Sequence, residues 1–125
     1  MGSLKKTAIR ESSIQAQVLA TFGAIPWIRL FRQNAGKIHT IEGRWVQLYP
    51  AGAADLSGWI GKWDHFKVHS PGRRIEIETK APKKGPNKQQ RRWAETCRKM
   101  GPLYILARSV DDVWTALEEA GYDLD

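Results

Sequence analysis

The segment Arg73-Arg74-Ile75-Glu76-Ile77-Glu78-Thr79-Lys80-Ala81-Pro82 constrains this chain more than any other. Its period of two puts Ile75 and Ile77 on one face of a β-strand and Glu76, Glu78 and Lys80 together on the other. Ala81-Pro82 ends the strand, because proline has no N–H to give to a ladder. The basic loop Lys83-Lys84-Gly85-Pro86-Asn87 follows. Trp93, Ala94, Cys97 and Met100 then form an apolar seam that predicts a helix from Lys88 to Met100, ended by Gly101-Pro102. Leu103 to Ala107 is an apolar run suited to a buried strand. Strand, helix and strand in that order imply a right-handed crossover and a locally parallel pair.

The rest of the chain is read around this unit. Ile14, Val18 and Phe22 recur at i, i+4 and i+8 and predict a first helix over about Thr7 to Phe22, stopped at Gly23. Glu11 lies three residues before Ile14, so it belongs to the inward face at the N-terminal end of that helix. Trp27 to Arg32 reads as a strand, Asn34-Ala35-Gly36 as a turn, Arg44 to Tyr49 as a second strand, and Asp55 to Ile60 as a third that begins at the aspartate. Gly61 to Gly72, with Trp63, His65, Phe66 and His69, predicts a hairpin or an irregular loop. Ser109 and Asp112 resemble a capped start to a last helix through Ala120. The expected order is α-β-β-β-β-α-β-α, a mixed sheet flanked by helices in one domain of 125 residues.

Net charge is +7, and its distribution says more than its sum. Every Lys and Arg lies at or before Arg108, and the tail from Asp111 is purely acidic. The densest basic stretch holds Lys80, Lys83, Lys84, Lys88, Arg91, Arg92, Arg98 and Lys99, which fits phosphate contacts but also a solvated helix face. A content of 42% hydrophobic and 26% charged residues argues against disorder. Apolar runs stay well short of the ~20 residues of a membrane helix. Met1 to Lys6 lacks the apolar stretch of a signal peptide, and Cys97 is the single cysteine, so a reducing, cytoplasmic setting is expected.

Chemistry concentrates at Glu78 and Lys80, with Asp55 upstream in Gly52-Ala53-Ala54-Asp55-Leu56. Carboxylates that hold magnesium, next to a lysine that faces the phosphate, are a common arrangement for phosphodiester cleavage. The plainer reading makes Glu76, Glu78 and Lys80 solvated residues of a half-exposed sheet. His39, His65 and His69 lack zinc spacing, and Cys97 on the helix seam suits packing. Of six tryptophans, Trp93 and Trp114 fall on apolar helix faces, whereas Trp45, Trp59 and Trp63 are candidates for a dimer or DNA surface.

Glu11-x-x-x-Gln15, Gly52-x-x-Asp55-Leu56, Ile77-Glu78-Thr79-Lys80, and Gln90-x-x-Trp93 with Gly101 together resemble the virus-type replication-repair nucleases, a branch of the PD-(D/E)XK superfamily, over roughly residues 7 to 108. The resemblance implies a restriction-endonuclease-like fold and a DNA nuclease dependent on magnesium, or on manganese in its place. It implies Asp55, Glu78 and the Thr79 carbonyl as metal ligands, Glu11 completing the acidic cluster, Lys80 acting on the attacking water and the phosphate, and Gln90 positioning Lys80 or the phosphate. Gln89 is the alternative to Gln90. Lys83, Lys84, Lys88, Arg91 and Arg92 are the expected DNA contacts. Thr79 stands where the family has an apolar residue, and Ala54 replaces the proline of the superfamily name. The implied substrate is branched DNA such as a Holliday junction, cut by a homodimer. A flap or end-directed nuclease, a sequence-specific restriction enzyme and an inactive DNA-binding module are the rivals.

Overall fold

The computed structural model describes residues 10–33, 37–62 and 72–122. Along them run α1 (Glu11–Phe22), β1 (Ile28–Arg32), β2 (Lys37–His39), β3 (Trp45–Gln47), β4 (Leu56–Ile60), β5 (Arg73–Thr79), α2 (Lys88–Met100), β6 (Leu103–Ala107) and α3 (Val110–Glu119). Four strands form a sheet in the order β1-β4-β5-β6. The β1/β4 and β4/β5 pairs are antiparallel and β5/β6 is parallel, so the sheet is mixed and the strand-helix-strand unit supplies its parallel pair.

The expected order needs one correction. Lys37–His39 is a further strand that pairs with β3 as a separate hairpin, giving α-β-β-β-β-β-α-β-α. Its turn is closed by Thr40 N–H to Arg44 O at 2.8 Å and Gly43 N–H to Thr40 O at 3.0 Å. A Lys-Ile-His triplet carries too little alternation to announce a strand, and pairing across the turn supplies the order instead. Trp45–Gln47 is accordingly shorter than the expected second strand and lies outside the main sheet. Asp55 precedes β4 instead of opening it. Thr7 to Ile9, Asn34 to Gly36, and the segment with Trp63, His65, Phe66 and His69 lie outside the described residues.

Ile14, Val18 and Phe22 of α1 and Val113 and Leu117 of α3 pack with Ile28, Leu56, Ile60, Ile75, Ile77 and Ile105 of the sheet. The opposite face receives α2 through buried Ala94 and Cys97. The central strand β5 is therefore covered on both sides, and Glu76 and Glu78 are only 1% and 2% exposed. Burial removes the reading of these glutamates as solvated residues of a half-exposed sheet. No helix among the described residues is long and apolar enough to cross a membrane.

Candidate active site: a carboxylate pair at the end of the central strand

Leu56 lies opposite Ile77, and continuing that antiparallel register by one residue brings Asp55 beside Glu78. Asp55 is fixed there by Thr79. Its Oδ2 accepts the Thr79 backbone N–H at 2.9 Å and the Thr79 hydroxyl at 2.8 Å. The unexpected threonine is thus a second donor to the aspartate, a role that a hydroxyl among apolar neighbours signals only once its partner is known. The N–H and C=O of one extended residue share a strand edge, so the Thr79 carbonyl is on the Asp55 side.

Glu78 is held from α2. Gln90 Nε2 donates to Glu78 Oε1 at 2.9 Å, and Gln90 Oε1 accepts the Asn87 N–H at 2.9 Å. Asn87 Oδ1 in turn accepts the Gln90 N–H at 2.8 Å, which completes a reciprocal capping box at the helix start. Of the two candidate glutamines it is Gln90 that enters the site, where it orients Glu78; Gln89 is exposed. Gly52 has φ +84°, and a Cβ there would lie 2.3 Å from Gln89 O and 2.7 Å from Gln90 N. The turn before Asp55 therefore abuts the backbone that carries Gln90, and only glycine fits between them.

Glu78 Oε2 is buried, and no N–H or hydroxyl of a neighbouring residue donates to it; the carboxyl it can share a proton with is that of Asp55. Burial, reinforced by the Asp55 charge, pushes the Glu78 carboxyl up to about 8, against an opposing pull from Lys80; a hydrogen bond with Asp55 and the charge of Glu11 push the same way as burial. Glu11 Oε1 accepts the Ala81 N–H at 3.4 Å, so α1 contributes its acid at the rim of the pair. Among the described residues no three His, Cys, Asp or Glu side chains form a ready metal-binding group. The oxygens that could hold a cation here are those of Asp55, Glu78 and the Thr79 carbonyl, with Glu11, the fourth expected ligand, at the rim; an all-oxygen set of this kind is what magnesium takes while keeping several waters. The orphaned Glu78 oxygen beside a second carboxylate is the feature that fits a cation.

Lys80 follows Thr79 directly, with its N–H bound to Ala107 O at 3.0 Å, so β6 fixes its backbone at the strand end. Behind the pair lies a layer that the sequence did not disclose. Gln33 N–H donates to Asp55 O at 2.8 Å, and its side-chain amide donates to Ala54 O and to Glu76 Oε2, both at 2.9 Å. Burial raises the Glu76 carboxyl, while the Ser57 hydroxyl and the Arg74 guanidinium hold it down. Cys97 is pushed up to about 11 by burial, with Glu76 adding to the effect, which suits the expected packing role and not a thiolate nucleophile.

Lys83, Lys84, Lys88, Arg91 and Arg92 are all exposed along the loop and first turn that follow Lys80. The loop is tied down by Arg108 Nη2 to Lys84 O at 2.8 Å and Arg91 Nη1 to Pro86 O at 2.9 Å. Trp114 packs on Phe22 with ring centroids 5.1 Å apart, as its helix face implied. Trp93 is half-buried with its indole beside the Glu76 carboxyl, whereas Trp45 and Trp59 are exposed. No family model, curated protein or solved structure matches the chain.

Proposed function

We propose that the chain is a metal-dependent DNA endonuclease, of the kind its motifs resemble, that hydrolyses phosphodiester bonds in branched DNA such as a four-way junction. The observation that carries this reading is the Asp55–Glu78 pair: a buried carboxyl with an oxygen that no neighbouring group donates to, beside a half-buried one, held at a strand end that leads straight into Lys80. Asp55, Glu78 and the Thr79 carbonyl would hold magnesium or manganese. When bound, such an ion acidifies a coordinated water and offsets charge on the phosphate.

The remaining work falls to the chain's own groups. Lys80 places a cation where negative charge develops on the phosphoryl oxygens and orients the water that attacks. Thr79 and Gln90 keep the two carboxylates from turning away, which preserves the geometry between encounters with substrate. The exposed loop and helix start, from Lys83 to Arg92, bind flanking phosphates. Such contacts read backbone path and not base sequence, which favours a structured substrate. Acting as a homodimer, the protein would offer two sites to the symmetric strands of a junction.

The test is cleavage of labelled four-way junction, flap, single-stranded and linear duplex DNA with magnesium, manganese or EDTA. Metal-dependent nicking of branched DNA is expected. Lys80→Ala should lower the rate at least a hundredfold while keeping DNA affinity within about threefold. Cleavage by that variant at the wild-type rate would remove Lys80 from the mechanism, and tight binding by wild type without any cleavage would leave a DNA-binding module.

A further inference from the structure

The strand register places a second surface on the same sheet face as the carboxylate pair. Arg29, Trp59 and Arg74 lie opposite one another across β1, β4 and β5, and Phe31, Ser57 and Glu76 form the next row. Gln33, Asp55 and Glu78 continue the series. Glu76 and Glu78 are buried in these rows, but toward β1 the face opens: Phe31 is 44% and Trp59 is 56% exposed. The two rings meet edge to face at 6.0 Å, with Arg29 and Arg74 exposed beside Trp59.

We infer that this open half of the sheet is a binding platform for an unpaired DNA strand, with Trp59 and Phe31 stacking on bases and with Arg29, and the part of the Arg74 guanidinium that Glu76 and Gln33 do not engage, facing phosphates; this rests on the nuclease reading and narrows its branched substrate to one with an unpaired arm, in place of a fully paired four-way junction. Exposed aromatic rings in an arginine frame match what single strands offer, since every unstacked base presents a flat face beside a negative backbone. A fully paired duplex hides its base faces, so it could use the arginines but not the rings. A second copy of the chain is the poorer occupant. Its own Arg29 and Arg74 would be brought to a surface of like charge, on a molecule that already carries +7. The platform is also continuous with the site: Trp59 and Asp55 are four residue steps apart along β4 and its N-terminal extension, about 13 Å. A strand laid across the rings therefore reaches the carboxylate pair within a few nucleotides.

The experiment is fluorescence anisotropy in EDTA with a splayed-arm DNA and a linear duplex of the same length, using wild type, Trp59→Ala, Phe31→Ala, the double variant and Trp59→Phe. Each alanine should weaken splayed-arm binding about fivefold or more, the double variant further, and duplex affinity should change less than about twofold. Trp59→Phe should keep most of the affinity, which separates stacking from a general loss of structure. Equal losses on both DNAs, or no loss on either, would overturn the platform. So would unchanged DNA affinity in a double variant that sizing shows to have dissociated, which would make the face a contact between copies. Cleavage by wild type in magnesium, run on the same DNAs, keeps the two readings apart: selective binding without cleavage sustains the platform and removes the nuclease, and cleavage without selective binding does the reverse.

Discussion

At the scale of single residues, the molecule turns on a glutamate in the wrong environment for its charge. Glu78 is buried, shares its surroundings with Asp55 and Glu11, and has its carboxyl pushed up to about 8. Without metal, the folded chain therefore retains a proton that the unfolded chain releases at its ordinary value near 4.5. The stability this supplies is complete below that ordinary value and is lost as pH rises toward 8, because the native state binds more protons throughout the interval. Glu78→Gln keeps the shape and the Gln90 hydrogen bond, and replaces the titrating oxygen by an amide that can donate to Asp55. In EDTA at pH 8 this variant should be more stable than wild type by on the order of 2 kcal/mol, and the difference should shrink toward pH 5. Urea midpoints at the two pH values measure it, and a variant destabilised equally at both would mean that Glu78 is ionised without strain in the native state. Cleavage should be abolished in the same variant, so stability and activity move in opposite directions.

At the scale of elements, the site depends on a contact between a turn and a helix start. Gly52 abuts Gln89 and Gln90, which joins the segment that carries Asp55 to the helix that holds Glu78. Gly43, at a similar positive φ of +85° in the β2–β3 turn, has open space around its Cβ position. Both glycines replaced by alanine meet the same left-handed backbone penalty, ~1–2 kcal/mol, but Gly52→Ala adds a collision with main chain. Gly52→Ala is expected to cost at least about 1 kcal/mol more than Gly43→Ala and to lower cleavage, whereas Gly43→Ala should leave cleavage intact; denaturant midpoints and rates of both variants decide it. The helix side of this contact was partly readable in advance, because the Trp93, Ala94 and Cys97 seam and the Gly101 stop are local signals and the observed span Lys88–Met100 equals the expected one, whereas Met100, expected on the seam, is exposed and the Asn87–Gln90 capping box was not foreseen. The turn side was readable only as a motif residue. Gln33 gave no signal at all, since its partners Ala54 and Glu76 lie far along the chain and only the β1-β4-β5 pairing brings them to it. For the same reason β2 was missed and the full burial of Glu76 was not foreseen: alternation tells which residues share a face, and the crossing helix decides whether that face is wet.

At the scale of the whole molecule, the pair couples the site to global stability. Two carboxylates and an orphaned oxygen in a covered sheet are a liability to the bare fold, and a divalent cation that binds only the native state shifts the folding equilibrium by mass action. Protons compete with the cation for Glu78, so the gain from magnesium should grow as pH rises from 6 toward 8, where the bare protein is losing the contribution of the protonated carboxyl. Thermal unfolding with magnesium and with EDTA across that range is the measurement. Wild type should show a rise in Tm with magnesium that is small at pH 6 and larger at pH 8, by several degrees for a domain of this size. Asp55→Ala should lose the rise at every pH, because one carboxylate is left to hold the ion and the Thr79 donors lose their acceptor. Calcium should stabilise without supporting cleavage, since it takes the same oxygens in a looser geometry. A magnesium effect that is flat with pH, or that survives in Asp55→Ala, would put the cation at another place on this basic chain and would detach the strained carboxylate pair from the chemistry proposed for it.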